Sequence, residues 1–328
     1  MSRPLVSVCL PSYNYADFLR PCLDSVWAQT LPDFELVVVD DASSDGSIDI
    51  ICSYNDPRLR LTRHPERAGA VSTWNHCLEL AQGQYVSYLC ADDFFLPDKL
   101  ERQIVVLEGT PEVSLVHANG YWAGEDGVQQ APFSSVFPPD LQVHLSTDYV
   151  MSAPLELPRL AAGYNYVHLS SAIFRRSTAV ALEGFSPRFP YAADWDLWLR
   201  LAARDAVGYV ARPLAAYRRH SRNLTRTMQQ SGQDFRDWYG VADAAFRRWP
   251  RAAGAPDPVR REALRVIREH LLAHIHARYA LGDNQAVRRD LGLAVRHDPG
   301  LLLDGLTVAT YIKSFFGGRT LRDSLSGR

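Results

Sequence analysis

Three pairs of carboxylates punctuate this 328-residue chain: Asp40 with Asp41, Asp92 with Asp93, and Asp194 with Asp196. Adjacent aspartates without a neighbouring Lys or Arg repel one another unless a cation or several hydrogen-bond donors stabilise them. An Asp pair on a loop therefore suits Mg²⁺ or Mn²⁺, hard ions that take one or two carboxylates and complete their shell with phosphate oxygens and water. Each pair alone also reads as ordinary turn or N-cap chemistry. The chain has no Gly-x-Gly-x-x-Gly, Walker loop, His-Glu-x-x-His or Gly-x-Ser-x-Gly, so a phosphate-bearing ligand would be held by metal rather than by a glycine cradle.

The elements around these pairs decide between the two readings. Val6–Leu10 is a short apolar run closed by Pro11, and a helical pattern follows from Asp17, a candidate N-cap, to Ala28. Phe34–Val39 is almost wholly apolar, as a strand buried on both faces must be. A short helix is expected from Ser47 to Tyr54, a strand at Leu59–Arg63 and a helix at Ala70–Ala81. Then come a strand at Tyr85–Cys90, a helix from Pro97 to Leu107 and a strand at Val113–His117. This alternation predicts a doubly wound α/β sheet, in which ligands bind beyond the carboxyl ends of the strands. Asp40–Asp41 and Asp92–Asp93 both fall there. Residues 121–165 show no period, and a stretch of that length is either a functional loop or carries short elements of its own. Val167–Phe174 reads as a strand, Asp194–Arg204 as a helix and Val207–Tyr217 as a strand; from Gly232 onward only helices are expected, clearest at Arg260–Leu281 and Gln285–Val295. The expected division is 1–231 and 232–328.

Composition narrows the class. The chain is 47% hydrophobic and 22% charged, enough apolar material for a buried core, and its net charge of −2 gives no electrostatic footprint for nucleic acid. Residues 1–231 sum to −7 and residues 232–328 to +5. A basic tail could dock on a protein partner or an anionic membrane surface, or serve simply as an Arg-rich solvated layer. Five cysteines, an odd number without metal-ligand spacing, read as core residues of a reducing compartment. The apolar run at the N-terminus is short for a signal peptide, and 301–316, interrupted by Asp304 and Lys313, is short for a membrane span.

LPSYN at 10–14, VVVDDASSDGS at 37–47, YVSYLCADD at 85–93 and ADWDLWLR at 193–200 occur in order. Together they resemble the family-2 inverting glycosyltransferases of GT-A fold, over roughly residues 4–225. The resemblance implies a Rossmann-like, mostly parallel sheet flanked by helices, here followed by an all-helical extension. It implies a nucleotide diphosphate sugar as donor, a saccharide or lipid-linked glycan as acceptor, and Mn²⁺ or Mg²⁺ as cofactor. Pro11, Tyr13 and Asn14 would line the nucleotide pocket, and Asp41 would hydrogen-bond the base. Asp92 would contact the ribose or sugar, and Asp93 would coordinate the metal. Asp194 matches the catalytic base. His220, in Tyr217-Arg218-Arg219-His220, could approach the metal or the diphosphate. The setting implied is a bacterial cytoplasm or the inner face of its plasma membrane, in the synthesis of surface polysaccharide or another glycoconjugate.

The chemistry is coherent on its own terms. Displacement at an anomeric carbon needs a base for the acceptor proton on one face and positive charge for the departing diphosphate on the other. Asn75, Arg63 and Arg67 fall where donor contacts could lie, Trp195 could stack on an acceptor sugar, and Tyr121, Trp122, Tyr164 and Tyr166 form a candidate acceptor wall by location. Two positions depart from the family pattern: Cys90, where an acidic residue is common, and Ala193, where Glu is common. Both lower the local negative charge and leave open a catalytically weakened nucleotide-sugar-binding or scaffold protein. A nucleotidyltransferase is the other alternative, though it would want a Gly-rich basic loop after the first strand in place of Pro11-Ser12-Tyr13-Asn14.

Overall fold

Phe34–Asp40 is buried at every residue, and Val6–Ser12 at every residue but Pro11. Segments covered on both faces belong in the middle of a sheet. The computed structural model describes residues 3–153, 155–161, 165–248, 256–280 and 282–297, with 309 and 314 beyond them. Tyr164 and nearly all of 301–316 lie outside the described residues.

The first half runs β1 (Val6–Ser12), α1 (Ala16–Trp27), β2 (Phe34–Asp40), α2 (Ser47–Cys52), β3 (Leu59–Arg63), α3 (Ala70–Leu80), β4 (Tyr85–Tyr88), β5 (Phe94–Phe95), α4 (Lys99–Gly109) and β6 (Val113–Ala123). It continues through β7 (Gln129–Pro132), α5 (Pro139–His144), β8 (Tyr149–Met151), α6 (Leu157–Ala161), β9 (Ile173–Arg175), α7 (Arg176–Ala181), α8 (Ala193–Arg204) and β10 (Ala206–Arg218). One sheet runs in the order β3-β2-β1-β4-β9-β6-β10-β5, with β7 on β6 and β8 on β10. β3, β2, β1 and β4 are mutually parallel, as are β6 and β10, whereas β9 is antiparallel to both its neighbours. The result is a mixed α/β sheet flanked by helices. Val6, Val8 and Leu10 of β1 pack with Leu19, Cys22, Leu23 and Val26 of α1 in a single apolar cluster that reaches Leu100, Ile104 and Leu107 of α4.

Several boundaries differ from expectation for identifiable reasons. Pro11 does not end β1; it pairs with Val39 of β2. β4 accompanies β1 only as far as Cys9, so the donor that proline lacks has no ladder partner to miss. Asp17 is not the cap of α1 but lies in its first turn; the Ala16 N–H is instead capped by Asp45 Oδ2 at 3.0 Å, from the loop after β2. Val167–Phe174 is not a continuous strand: Leu169–Ser171 is a 3₁₀ turn, and only Ile173–Arg175 joins the sheet. Periodicity cannot separate these for a short apolar run. Residues 121–165 carry the end of β6 together with β7, α5, β8 and α6. Cys9, Cys22 and Cys77 are buried, but Cys52 at the end of α2 is exposed.

The chain divides into two compact units, one comprising residues up to Leu160 with Asn165–Asn223, the other containing everything from Leu224 on. The second unit holds α9 (Leu224–Ser231), α10 (Gln233–Arg248), α11 (Pro256–Ala280) and α12 (Asn284–His297). Its apolar side chains include Phe235, Val241, Ile267, Leu271, Ile275, Val287 and Leu291. Gly232 joins α9 to α10 at φ +71, where a Cβ would also stand 2.9 Å from Asp290 Oδ1. No helix among the described residues is long and apolar enough to cross a membrane.

Candidate active site

The loops after β1 and β2 are stitched together. Asn14 and Ala42 both adopt left-handed backbone, at φ 55 and 62, which Asn tolerates better than most side chains. The Asp41 N–H donates to Ser12 O at 2.8 Å, Asn14 N to Ser43 Oγ at 2.9 Å, and Ser44 N to Asn14 Oδ1 at 2.8 Å. Asp40 points inward and is consumed by this turn, accepting from Ser43 N and Ser43 Oγ. Asp41 holds the entry to α3: Oδ1 accepts from Ala68 N at 2.7 Å and from His64 Nδ1 at 2.8 Å, and Oδ2 from Gly69 N at 2.9 Å. Burial works to raise its pKa, but these donors outweigh burial and hold the carboxyl below its usual range. His64 Nε2 then accepts from His76 Nδ1 at 2.8 Å. Arg67 lies over the Tyr13 ring at 4.3 Å.

The turn after β4 carries the acid pair, and donors from distant segments surround it. Asp93, 1% exposed, accepts from Ser170 Oγ at 2.6 Å and from the Arg218 N–H at 3.0 Å. Arg218, itself buried, donates from Nε to Asp92 O at 2.8 Å. His220 Nδ1 accepts from Arg222 N, so Nε2 carries the proton and donates to Asp92 Oδ2 at 3.0 Å; Asn223 Nδ2 reaches the same oxygen at 3.0 Å. His220, expected near the metal or the diphosphate, thus lies against the acid pair, and its ring packs 4.3 Å from that of Phe18. Burial, and then the neighbouring Asp92 charge, push the Asp93 pKa well above the usual carboxylate range.

Cys90, Asp92 and Asp93 offer ligand atoms that all lie within 4.8 Å of one another. Burial and the two aspartates push the Cys90 thiol up, which keeps it protonated and out of a hard ion's shell. The two carboxylates remain, a donor set that fits a small divalent ion. The raised Asp93 pKa marks the charge repulsion such an ion would relieve.

Asp194 sits in the first turn of α8, half-buried, where the helix dipole favours a carboxylate. Oδ1 accepts from Trp195 N at 2.7 Å and Oδ2 from Asn165 Nδ2 at 3.3 Å. Burial is the largest influence and lifts its pKa to about 6 against the pull of these donors. Asn165 and Ser170 belong to one short segment, so a single stretch of chain holds both Asp194 and Asp93. Asp196 is structural, paired with Arg200 at 2.8 Å.

Trp195 is not a sugar platform. It is fully buried and its indole N–H donates to Leu160 O at 2.7 Å; Trp198 is equally buried and donates to Val167 O at 3.1 Å. Trp195→Ala should therefore cost about 3–5 kcal/mol of stability, as deletion of a buried aromatic does, and chemical denaturation measures it. Tyr166 likewise leaves the candidate acceptor wall, since it is buried with its hydroxyl on Glu156. Trp122 packs edge-on to Phe133, His168 and Tyr217 beneath the Arg219 guanidinium. Asn75 clamps the Phe185 backbone, its Oδ1 accepting from the N–H at 2.9 Å and its Nδ2 donating to the carbonyl at 2.8 Å. Arg63 donates to Ser43 O. Sequence reasoning passed over Ser170, Asn165 and Asn223, and met Arg218 only as a member of the segment that ends at His220. Only Asn223, three residues after His220, left a local signal.

The mixed sheet flanked by helices, with acidic turns at its carboxyl edge, is the GT-A architecture expected from the sequence. Residues 7–151 match the model of glycosyl transferase family 2. An uncharacterized glycosyltransferase of Rickettsia typhi is 30% identical over 225 residues, 68% of this chain and 67% of that protein. The UDP-Glc:alpha-D-GlcNAc-diphosphoundecaprenol beta-1,3-glucosyltransferase WfaP of Escherichia coli is 32% identical over 137 residues, 42% of this chain and 53% of that protein. Among solved structures, S. aureus TarS 1–349 in complex with UDP-GlcNAc superposes with a TM-score of 0.68 at 16% identity, covering 94% of this chain and 89% of that one. The chain belongs to glycosyl transferase family 2.

Proposed function

We propose that this enzyme is a metal-dependent inverting glycosyltransferase that moves a sugar from a nucleotide diphosphate sugar to a hydroxyl of a saccharide or lipid-linked glycan. The observation that carries this reading is the division of labour among the acids. Asp92 and Asp93 are buried side by side as a hard-ion donor set, while Asp194 stands apart with a pKa lifted to about 6. The stitched loops at Pro11, Tyr13, Asn14 and Asp41 would line the nucleotide pocket, with Asn75 bracing one side through Phe185. Asp92 would meet the ribose or sugar. Asp93 would hold the cation, which when bound supplies positive charge to the departing diphosphate. Asp194 takes the proton from the acceptor hydroxyl as that oxygen attacks the anomeric carbon. A single displacement leaves the anomeric centre inverted. WfaP, with its diphosphoundecaprenol-linked acceptor, supports a role in bacterial surface glycan synthesis. The basic 232–328 extension would serve as a docking element at the inner face of the membrane or on a protein partner.

The test is a melting-temperature panel of UDP, GDP, dTDP and CMP sugars with and without Mn²⁺. One nucleotide class should stabilise the protein by about 2.7 kcal/mol at a hundred times its dissociation constant, and only with Mn²⁺ present. The product formed from that donor should carry the inverted anomeric configuration by NMR. Stabilisation without transfer would instead indicate a binding protein; retention of configuration would exclude the single displacement.

A further inference from the structure

Lys99 opens α4 and has no exposed surface. Lysine is almost never fully buried unless its charge is paired, yet its bonded partners are all neutral. Nζ reaches Ser87 Oγ at 2.7 Å, Gln103 Oε1 at 2.8 Å and Ala172 O at 3.4 Å, and lies 4.4 Å from the centre of the Phe95 ring. Every oxygen in this set is an acceptor. The Ser87 hydroxyl gives its own proton to Ala172 O at 3.0 Å, and the Gln103 amide donates to Ser171 O at 2.8 Å and Val116 O at 3.3 Å. Burial pushes the Lys99 pKa well below its ordinary range, and with or without the extra proton its N–H bonds are directed at acceptors from three segments.

The partners surround the acid turn. Ser87 lies in β4 just before Asp92–Asp93 and Phe95 in β5 just after. Ser171 and Ala172 follow directly on Ser170, whose hydroxyl donates to Asp93 Oδ2. Building on the donor-site reading above, we infer that Lys99, with Gln103, is a positioning residue for the Asp92–Asp93 turn. Its buried amine group pins both flanks of the turn and the Ser170–Ala172 segment through these hydrogen bonds, so the carboxylates stand in place before cation and donor arrive. Lys99 touches neither donor nor reacting atoms. Loss of the partners that orient metal-binding groups typically weakens metal affinity about 10–100-fold.

Two variants test this. Lys99→Met keeps the length of the stem and removes the donors. Lys99→Met with Gln103→Leu removes the polar cluster altogether, an exchange of buried polar for apolar groups that is often neutral or stabilising, so the double variant should fold. The readout is Mn²⁺ affinity, followed by the electron paramagnetic resonance signal of free Mn²⁺, with UDP, GDP, dTDP or CMP present, whichever stabilises the wild type. Both variants should need 10–100-fold more Mn²⁺, while the double variant melts close to the wild type. A Mn²⁺ midpoint within about threefold of wild type in the double variant overturns the inference, as does a lowered melting temperature with unchanged Mn²⁺ affinity. A wild-type protein that none of the four nucleotide classes stabilises overturns the donor-site reading first, and this inference with it.

Discussion

Asp194→Asn should lower turnover about 10²–10⁴-fold, the usual contribution of a positioned general base, while the donor still raises the melting temperature as it does for wild type. Asn matches Asp in shape and keeps an acceptor for the Trp195 N–H, so α8 has no reason to move. What is lost is the ability to take a proton. The same group predicts the pH profile. Burial raises the Asp194 pKa to about 6, and only the ionised carboxylate can act as base. The kcat/KM of the wild type should therefore be flat above neutrality and fall about tenfold per pH unit below pH 6. That limb should vanish from the residual activity of the Asn variant. Steady-state rates from pH 4.5 to 8.5 measure both; wild-type turnover in the variant would remove Asp194 from the reaction.

Asp93→Asn should move activity and stability in opposite directions. Removing a charge-stabilising group from a transferase site costs on the order of 10²–10³ in rate. The metal-free variant should nevertheless melt above wild type. The folded-state pKa of Asp93 is raised by burial and by Asp92, so its ionised form opposes folding at any pH above the unfolded value, about 3.9. The gain in melting temperature should accordingly be greatest at neutral pH and fade as the pH falls toward that value. Asn can still accept from the Arg218 N–H and can donate to Ser170. A variant less stable than wild type at pH 7 would mean that Asp93 serves as a structural acceptor rather than as a strained metal ligand.

Which parts of this arrangement were legible depends on how far apart the cooperating residues lie. β2 was legible because a strand covered on both faces needs an unbroken apolar run, and Phe34–Val39 is one. β3 matched its expected bounds for a different local reason, the alternation of Leu59 and Leu61 with Arg60 and Thr62 in a half-buried edge strand. β9 was not, because its three residues pair antiparallel with β4 and β6, and the apolar stretch that supplies them also supplies a 3₁₀ turn. The cap of α1 was misassigned because the donor-acceptor pair spans 29 residues, and reading along the chain finds only local caps. Trp195 stands next to Asp194 in sequence, but successive side chains on a helix point about 100° apart, so Trp195 is buried in the core while Asp194 stays partly exposed.

Taken alone, the sequence determined the α/β class, the placing of acidic pairs at strand ends and the family, since each depends on residue type, apolar period and spacing along a few turns of chain. Only the tertiary structure decided what each acid is free to do. Asp40 is spent on its own turn and Asp196 on Arg200, while Asp41 is held in place by the entry to α3. Asp92 and Asp93 are aligned by Arg218 and His220, 125 and 128 residues away, and Asp194 by Asn165, 29 residues away. A carboxylate's charge and freedom are set by the donors and the low-dielectric walls that folding brings to it, and those come from whichever segments happen to pack alongside.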